Sequence, residues 1–196
     1  MGPGRGAAAA GGAAARGLSG APRSIRRAGL GDVDELAKVH ASSARAAWSE
    51  LLPAELLARF GSTERRRAQW RERLGAPPPG TLNLVVEVAG RVGGLVAVGP
   101  TRDEDCDPAA VGEVAALYVD PAHWGRGIGR ALLDEGVECL QRDGFSSATL
   151  WTLATGARTR RFYERAGWRP EGAERPLDKR SGVFEVRYER SLTQTG

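Results

Sequence analysis

Between Asp32 and Arg45, buried-type positions recur at three- and four-residue intervals: Val33, Leu36, Ala37 and Ala44, with His40 in the same register. That spacing lines one side of a helix. Asp32 is the expected N-cap, and Glu35 three residues on completes a capping-box-like start. Leu51-Leu52-Pro53 stops this helix, and Pro53–Phe60 and Thr63–Leu74 continue as helix. Pro77–Pro79 and Gly80 close the section. The pattern then changes. Leu82–Ala89 and Val92–Val98 are β-branched runs around Gly90–Arg91, which predicts a hairpin. An acidic loop, Thr101–Pro108, leads to a strand at Gly112–Val119. Ile128, Leu132, Leu133, Val137 and Leu140 line a helix that runs to Asp143 and stops at Gly144. Ala148–Leu153 is a strand, Arg158–Ala166 a helix ended by Gly167, and Trp168–Pro170 returns to the sheet. Val183–Tyr188 alternates as a last strand, and Ser24–Ala28 is a short first one. The order β, α, α, β, β, β, α, β, α, β, β predicts an α/β (mixed α+β) class: one mixed sheet with helices on both faces.

Composition changes this picture at one end. Residues 1–23 are an Ala/Gly/Arg segment with too few large side chains to offset its ordering entropy, so a disordered tail is expected before a domain at 24–192. The net charge of +4 resides largely there. The segment holds Arg5, Arg16 and Arg23 and no acid, so 28 − 3 = 25 basic residues face 24 acidic ones in the remainder. A folded part this near neutrality lacks the one-signed footprint of a nucleic-acid binder. No apolar run approaches the roughly 18 residues of a membrane span. Cys106 and Cys139 form no metal-ligand or disulfide spacing, which fits a reducing, cytoplasmic setting and no metal.

The candidate chemistry centres on Gly112–Arg130, GEVAALYVDPAHWGRGIGR. A strand, a tight turn and glycines at 125, 127 and 129 open a helix. Such glycines bring backbone N–H groups close to a ligand, and the helix N-terminus favours an anion such as pyrophosphate. The dinucleotide fingerprint does not fit, because its third glycine would fall at Leu132, and no Walker lysine is present.

LYVDPAHWGRGIGRALL, then a strand, then RRFYERAGW, resembles the GCN5-related N-acetyltransferase superfamily, and the likeness covers about Ser24–Leu192. The resemblance implies the GNAT-type fold, with a mostly antiparallel central sheet, acetyl-CoA as co-substrate, and a small-molecule or peptide amine as acceptor. No membrane or nucleic-acid partner is expected, from the missing apolar span and the near-neutral charge of the folded part. Members often dimerise, so a homodimer is among the expectations. Leu117, Tyr118 and Val119 would face the pantetheine arm, pairing with its amides as an added strand does. The family's phosphate pattern falls on Trp124, Gly125, Arg126, Gly127, Ile128 and Gly129, with Arg130 adding charge. Trp124 stands where Gln or Arg is usual. Gly156 stands where Asn usually contacts the coenzyme, and Phe162 belongs to the same FYE motif.

By the same resemblance Tyr163 protonates the departing thiolate, chemistry suited to a phenol. Glu113 is the candidate base for the acceptor amine, expected on one sheet face with Ala115, Leu117 and Val119 by its even spacing. Trp48 and His40 lie on or after the first long helix, which walls the acceptor pocket in this fold. Trp48 is the candidate substrate contact, and His40 is expected to be packed. A protein that binds acyl-CoA without turnover is the alternative.

Overall fold

The computed structural model describes residues 23–179 and 181–192. Residues 1–22 of the expected tail lie outside them, and its last residue, Arg23, instead opens the first strand, paired with Val88. Seven strands form one sheet: β1 (Arg23–Arg27), β2 (Leu82–Val88), β3 (Arg91–Pro100), β4 (Val111–Val119), β5 (Ser147–Leu153), β6 (Arg169–Pro176) and β7 (Phe184–Ser191). Their order is β1-β2-β3-β4-β5-β7-β6, and every neighbouring pair is antiparallel except β4–β5. Helices α1 (Val33–Trp48), α2 (Ala54–Phe60), α3 (Thr63–Gly75), α4 (Ile128–Arg142) and α5 (Ala157–Arg165) cover it.

β3 is buried on both faces, and its alternate residues serve two cores. Val96 and Val98 meet Ile128, Leu132 and Val137 of α4, in a cluster that extends to Tyr163, Trp168 and Tyr188. Leu95 and Ala97 meet Val33, Leu36 and Val39 of α1 and Trp70 of α3. A third, smaller cluster joins Leu52, Leu56 and Leu153, with Trp48 and Phe60 packed against it. α4 lies close to the sheet: a Cβ at Gly112 would come within 2.8 Å of Leu140.

Several local expectations need correcting. The hairpin turn is made by Ala89 (φ 51°) and Gly90 (φ 76°), one residue earlier than expected, since both central positions of this turn need positive φ. The capping box does not form. Asp32 makes no side-chain cap on α1; its carboxylate pairs with Arg26 (2.8 Å) and accepts from the Gly29 N–H (2.8 Å). Glu35 instead accepts from the Val92 N–H (2.9 Å), tying α1 to β3. β6 is longer than the predicted Trp168–Pro170. It is an edge strand of sequence RPEGAERP, mostly exposed, so no apolar alternation announces it. Among the described residues no helix is long and apolar enough to cross a membrane.

Candidate active site

β4 and β5 run side by side for only three pairs, Val111–Ser147, Gly112–Ala148 and Glu113–Thr149. Beyond Glu113 they part. The separation coincides with a bulge: Val98 pairs with Val114 but Ala97 with Ala116, so β4 carries one extra residue at Ala115. A bulge bends its strand and increases local twist. The result is a cleft of about 830 Å³ whose inner wall is Val114–Val119, backed on the far side by Trp151–Leu153. Along it Leu117 and Val119 turn backbone groups away from β3 with no β5 partner, whereas Tyr118 stands in the hydrogen-bonded register with Leu95 of β3 and does not offer its backbone to the cleft.

The bulge also overturns the predicted facing of Glu113. An inserted residue reverses the alternation, so Glu113 sits opposite Gly99, in phase with Ala116 and Tyr118 on the α1/α3 side. Leu117 and Val119 face α4. Glu113 is 3% exposed and is held by Arg102, whose Nε and second terminal nitrogen donate to its two oxygens (2.8 and 2.6 Å). That bond raises the Arg102 guanidinium above its ordinary pKa, against an opposing effect of burial. The strand is read correctly as a strand, but its register against β3 is not visible in one sequence.

At one end the cleft meets the start of α4. Gly125 (φ 74°) and Gly127 (φ 76°) take left-handed conformations that side chains disfavour. Gly127 is the N-cap, makes no side-chain cap, and the first turn carries no acid. The first helical bond comes from the Ala131 N–H to the Gly127 carbonyl (3.0 Å), so the N–H groups of Ile128, Gly129 and Arg130 have no acceptor within the helix. Gly129 is helical, and a Cβ there would stand 3.6 Å from Phe162 and Val119. Phe162 therefore backs the turn from α5. Arg130 lines the mouth but shares its charge with Asp134 (2.7 Å). Arg126 is exposed and outside the cleft lining.

Trp124 has a definite place. Its indole N–H donates to the Val119 carbonyl (2.8 Å), and the Arg158 guanidinium lies 4.5 Å above its ring. The indole thus joins the end of β4 to the glycine turn, and Arg158 stands at the cleft wall. Arg158 was not anticipated; an exposed arginine in the first turn of a short helix carries no pattern of its own. Gly156 lines the same wall, and a Cβ there would approach the Leu153 carbonyl to 3.1 Å. An asparagine at this position would require the loop to shift.

Tyr163 borders the cleft from α5 and is buried among Phe162, Trp168 and Tyr188, with ring centroids 5.2, 6.4 and 6.4 Å away. Among the described residues its hydroxyl makes no hydrogen bond. Burial pushes its pKa above the usual phenol value, so it stays protonated. Trp48 borders the opposite end, edge-on to Phe60 (5.7 Å) and Tyr118 (6.4 Å). His40 is packed as expected, stacked on Tyr118 at 3.8 Å, and burial lowers its pKa to about 2, so it is neutral. The acidic loop is tied down. Trp151 donates to Asp103 (3.0 Å), and Arg187 bonds Asp105 through two nitrogens (both 2.7 Å) and also pairs with Asp103 and Glu171.

A long cleft with an amide-pairing edge at its centre and an acid-free helix mouth at its end suits a peptide-like ligand that terminates in phosphate. The comparisons with known proteins identify the family and the fold. Residues 45–168 match the family described as Acetyltransferase (GNAT) family. The chain is 33% identical over 129 residues to the uncharacterized N-acetyltransferase YuaI of Bacillus subtilis, covering 66% of this chain and 70% of YuaI. It is 29% identical over 141 residues to an uncharacterized N-acetyltransferase of Archaeoglobus fulgidus, covering 71% and 88% of the two chains. Its fold is similar to that of the PaiA N-acetyltransferase of Thermoplasma acidophilum, solved with coenzyme A, with a TM-score of 0.71, 16% identity and coverage of 86% and 98%. This chain belongs to the GNAT family and is an N-acetyltransferase by that membership.

Proposed function

We propose that the protein moves an acetyl group from acetyl-CoA to a primary amine by direct attack in a ternary complex. The observation that carries this reading is the continuity of the parted β4–β5 edge with the uncapped start of α4. The edge pairs with the amides of the pantetheine arm, and the N–H groups at 128–130 receive the pyrophosphate. The amine nitrogen bonds the thioester carbon, and the carbon–sulfur bond breaks. A backbone N–H near Val119 polarises the carbonyl. Tyr163 gives its proton to the sulfur, and the proton lost by the amine passes to Glu113, directly or through water. A free alkylamine is almost fully protonated at neutral pH, so this last step is needed. Reduced Cys106 and Cys139 fit a cytoplasmic setting.

Calorimetry with acetyl-CoA, followed by thiol release over a panel of amines, tests the reading. Binding and release on at least one amine class are expected. Absence of binding rejects the reading entirely, and binding without release on any amine replaces it with that of an acyl-CoA-binding module. Arg158 offers a finer check. Arg158→Ala should weaken acetyl-CoA about fivefold, the scale of one exposed charge-assisted contact, with a smaller effect at high salt. An unchanged dissociation constant at low salt would remove Arg158 from the phosphate site.

A further inference from the structure

A second cavity of about 650 Å³ lies on the other side of Glu113, between the sheet and the α1/α3 layer. Arg102, Glu113 and Tyr118 line both it and the cleft, so the two spaces meet at the Arg102–Glu113 pair. The far wall is unusual in its charge. Arg66 is only 8% exposed, yet its Nε donates to the Phe60 carbonyl (2.9 Å) and a terminal nitrogen to the Gln69 side chain (2.6 Å), both neutral acceptors. Arg73 donates to the Asn83 side-chain oxygen (2.8 Å). Among the described residues neither arginine has a carboxylate at ion-pair distance. Of the two acids at the cavity, Glu113 is bonded by Arg102 and reaches Arg73 only through space, and Glu72 sits exposed at the rim.

Sequestering a cation such as Arg66 from water without a counter-charge is costly, and Arg73 beside it is half-buried. Burial lowers the pKa of both guanidinium groups, and the Arg102 charge lowers that of Arg73 further, against smaller opposing effects of Glu113 on Arg73 and of Tyr118 on Arg66. Three ring nitrogens of residues in the same wall are also buried without a partner: Nδ1 and Nε2 of His40 and Nε1 of Trp70. A role for Arg66 in capping the last carbonyl of α2 accounts for one of its N–H groups. The Phe60 and Trp70 rings lie 5.4 and 5.7 Å from the Arg66 and Arg73 guanidinium groups and give each a cation–π contact, but neither supplies a full counter-charge.

We infer that the acceptor is an amine that also carries an anionic group, a carboxylate or a phosphate, which seats in this cavity against Arg66 and Arg73 while the amine meets Glu113. The inference rests on the acetyl-transfer reading for the amine's role, and the anion site is read by binding alone. Arginine is suited to both anions because its planar fork matches their oxygens. A free anion acting as a separate effector would use the same chemistry, and the experiment below separates the two.

α-Amino acids paired with their methyl esters, and aminoalkylphosphonates paired with their diethyl esters, are titrated calorimetrically into the protein. Each titration is run with the free protein and with protein saturated with coenzyme A, which permits no turnover. At least one acid should bind about tenfold or more tightly than its own ester, a difference of ~1.4 kcal/mol. Arg73→Gln and Arg66→Gln should bring that ratio close to one while coenzyme A affinity is retained. Should Arg66→Gln fail to fold through loss of its Phe60 contact, Arg73→Gln alone decides. Equal binding of every acid and ester overturns the inference, as does a preference that survives Arg73→Gln. So does an ester that binds as well as its acid once free acetate or inorganic phosphate is added, because the anion is then a separate ligand. Failure to bind coenzyme A would instead strike at the acetyl-transfer reading, and the free-protein titrations would still report on the cavity.

Discussion

A Gly127→Glu variant is expected to lose acetyl-CoA affinity by about 100-fold or more, while Gly127→Ala loses far less. Two effects separate in this pair. Gly127 has φ 76°, so any side chain there costs about 1–2 kcal/mol of backbone strain, which should lower Tm by several degrees in both variants. Only glutamate adds a negative charge where the α4 N–H groups and helix dipole would otherwise meet phosphate. Like charges juxtaposed at a binding surface cost several kcal/mol, and ~2.7 kcal/mol is already 100-fold. Calorimetry on both variants, with thermal melts to confirm that each folds, makes the measurement. If Gly127→Glu binds acetyl-CoA as the wild type does, phosphate does not sit at this helix mouth. If Gly127→Ala loses as much as Gly127→Glu, geometry rather than charge governs the site.

The strong periodic segments were legible because burial imposes their spacing. α1 and α4 show this: Val33, Leu36, Ala37 and Ala44, and Ile128, Leu132, Leu133, Val137 and Leu140, are all buried. The glycine mouth was legible for a related reason, since residues 125 and 127 adopt conformations that favour glycine. What escaped depends on contacts between distant segments. The facing of Glu113 turns on one extra residue in β4 relative to β3, and a single strand's alternation does not record its partner's register. β6 escaped because an edge strand with little buried surface needs no apolar alternation.

The bulge connects these gaps to function. β4 parts from β5 where the bulge turns Glu113 away from Leu117 and Val119, so under the proposed reaction the two faces of one strand would serve different substrates. The unpaired edge and the α4 side hold the features suited to the acetyl donor. The α1/α3 side holds Glu113, its Arg102 partner and the second cavity. Trp124 belongs to the donor side for a reason the sequence hid. Its hydrogen bond to Val119 closes the strand end, and Arg158, contributed by α5, stacks on it from a segment more than thirty residues away.

Tyr163→Phe should reduce kcat by about 100-fold and leave the acetyl-CoA dissociation constant within about twofold of wild type. The argument starts from packing. The ring is buried among Phe162, Trp168 and Tyr188, and phenylalanine keeps those contacts. The hydroxyl makes no hydrogen bond among the described residues, so its removal strands no partner and should cost little stability. A change confined to turnover therefore reports on proton delivery to the leaving sulfur. The pH profile gives a second readout. A tyrosine whose pKa is raised by burial keeps its proton through and beyond the ordinary phenol range, so the wild-type rate should show no loss of the acid near pH 10. Any rise in kcat/KM toward alkaline pH should instead follow deprotonation of the amine and persist in Tyr163→Phe. Unchanged kcat in the variant would free Tyr163 of the acid role and pass the proton to solvent. Loss of acetyl-CoA affinity in step with kcat would assign the hydroxyl to binding.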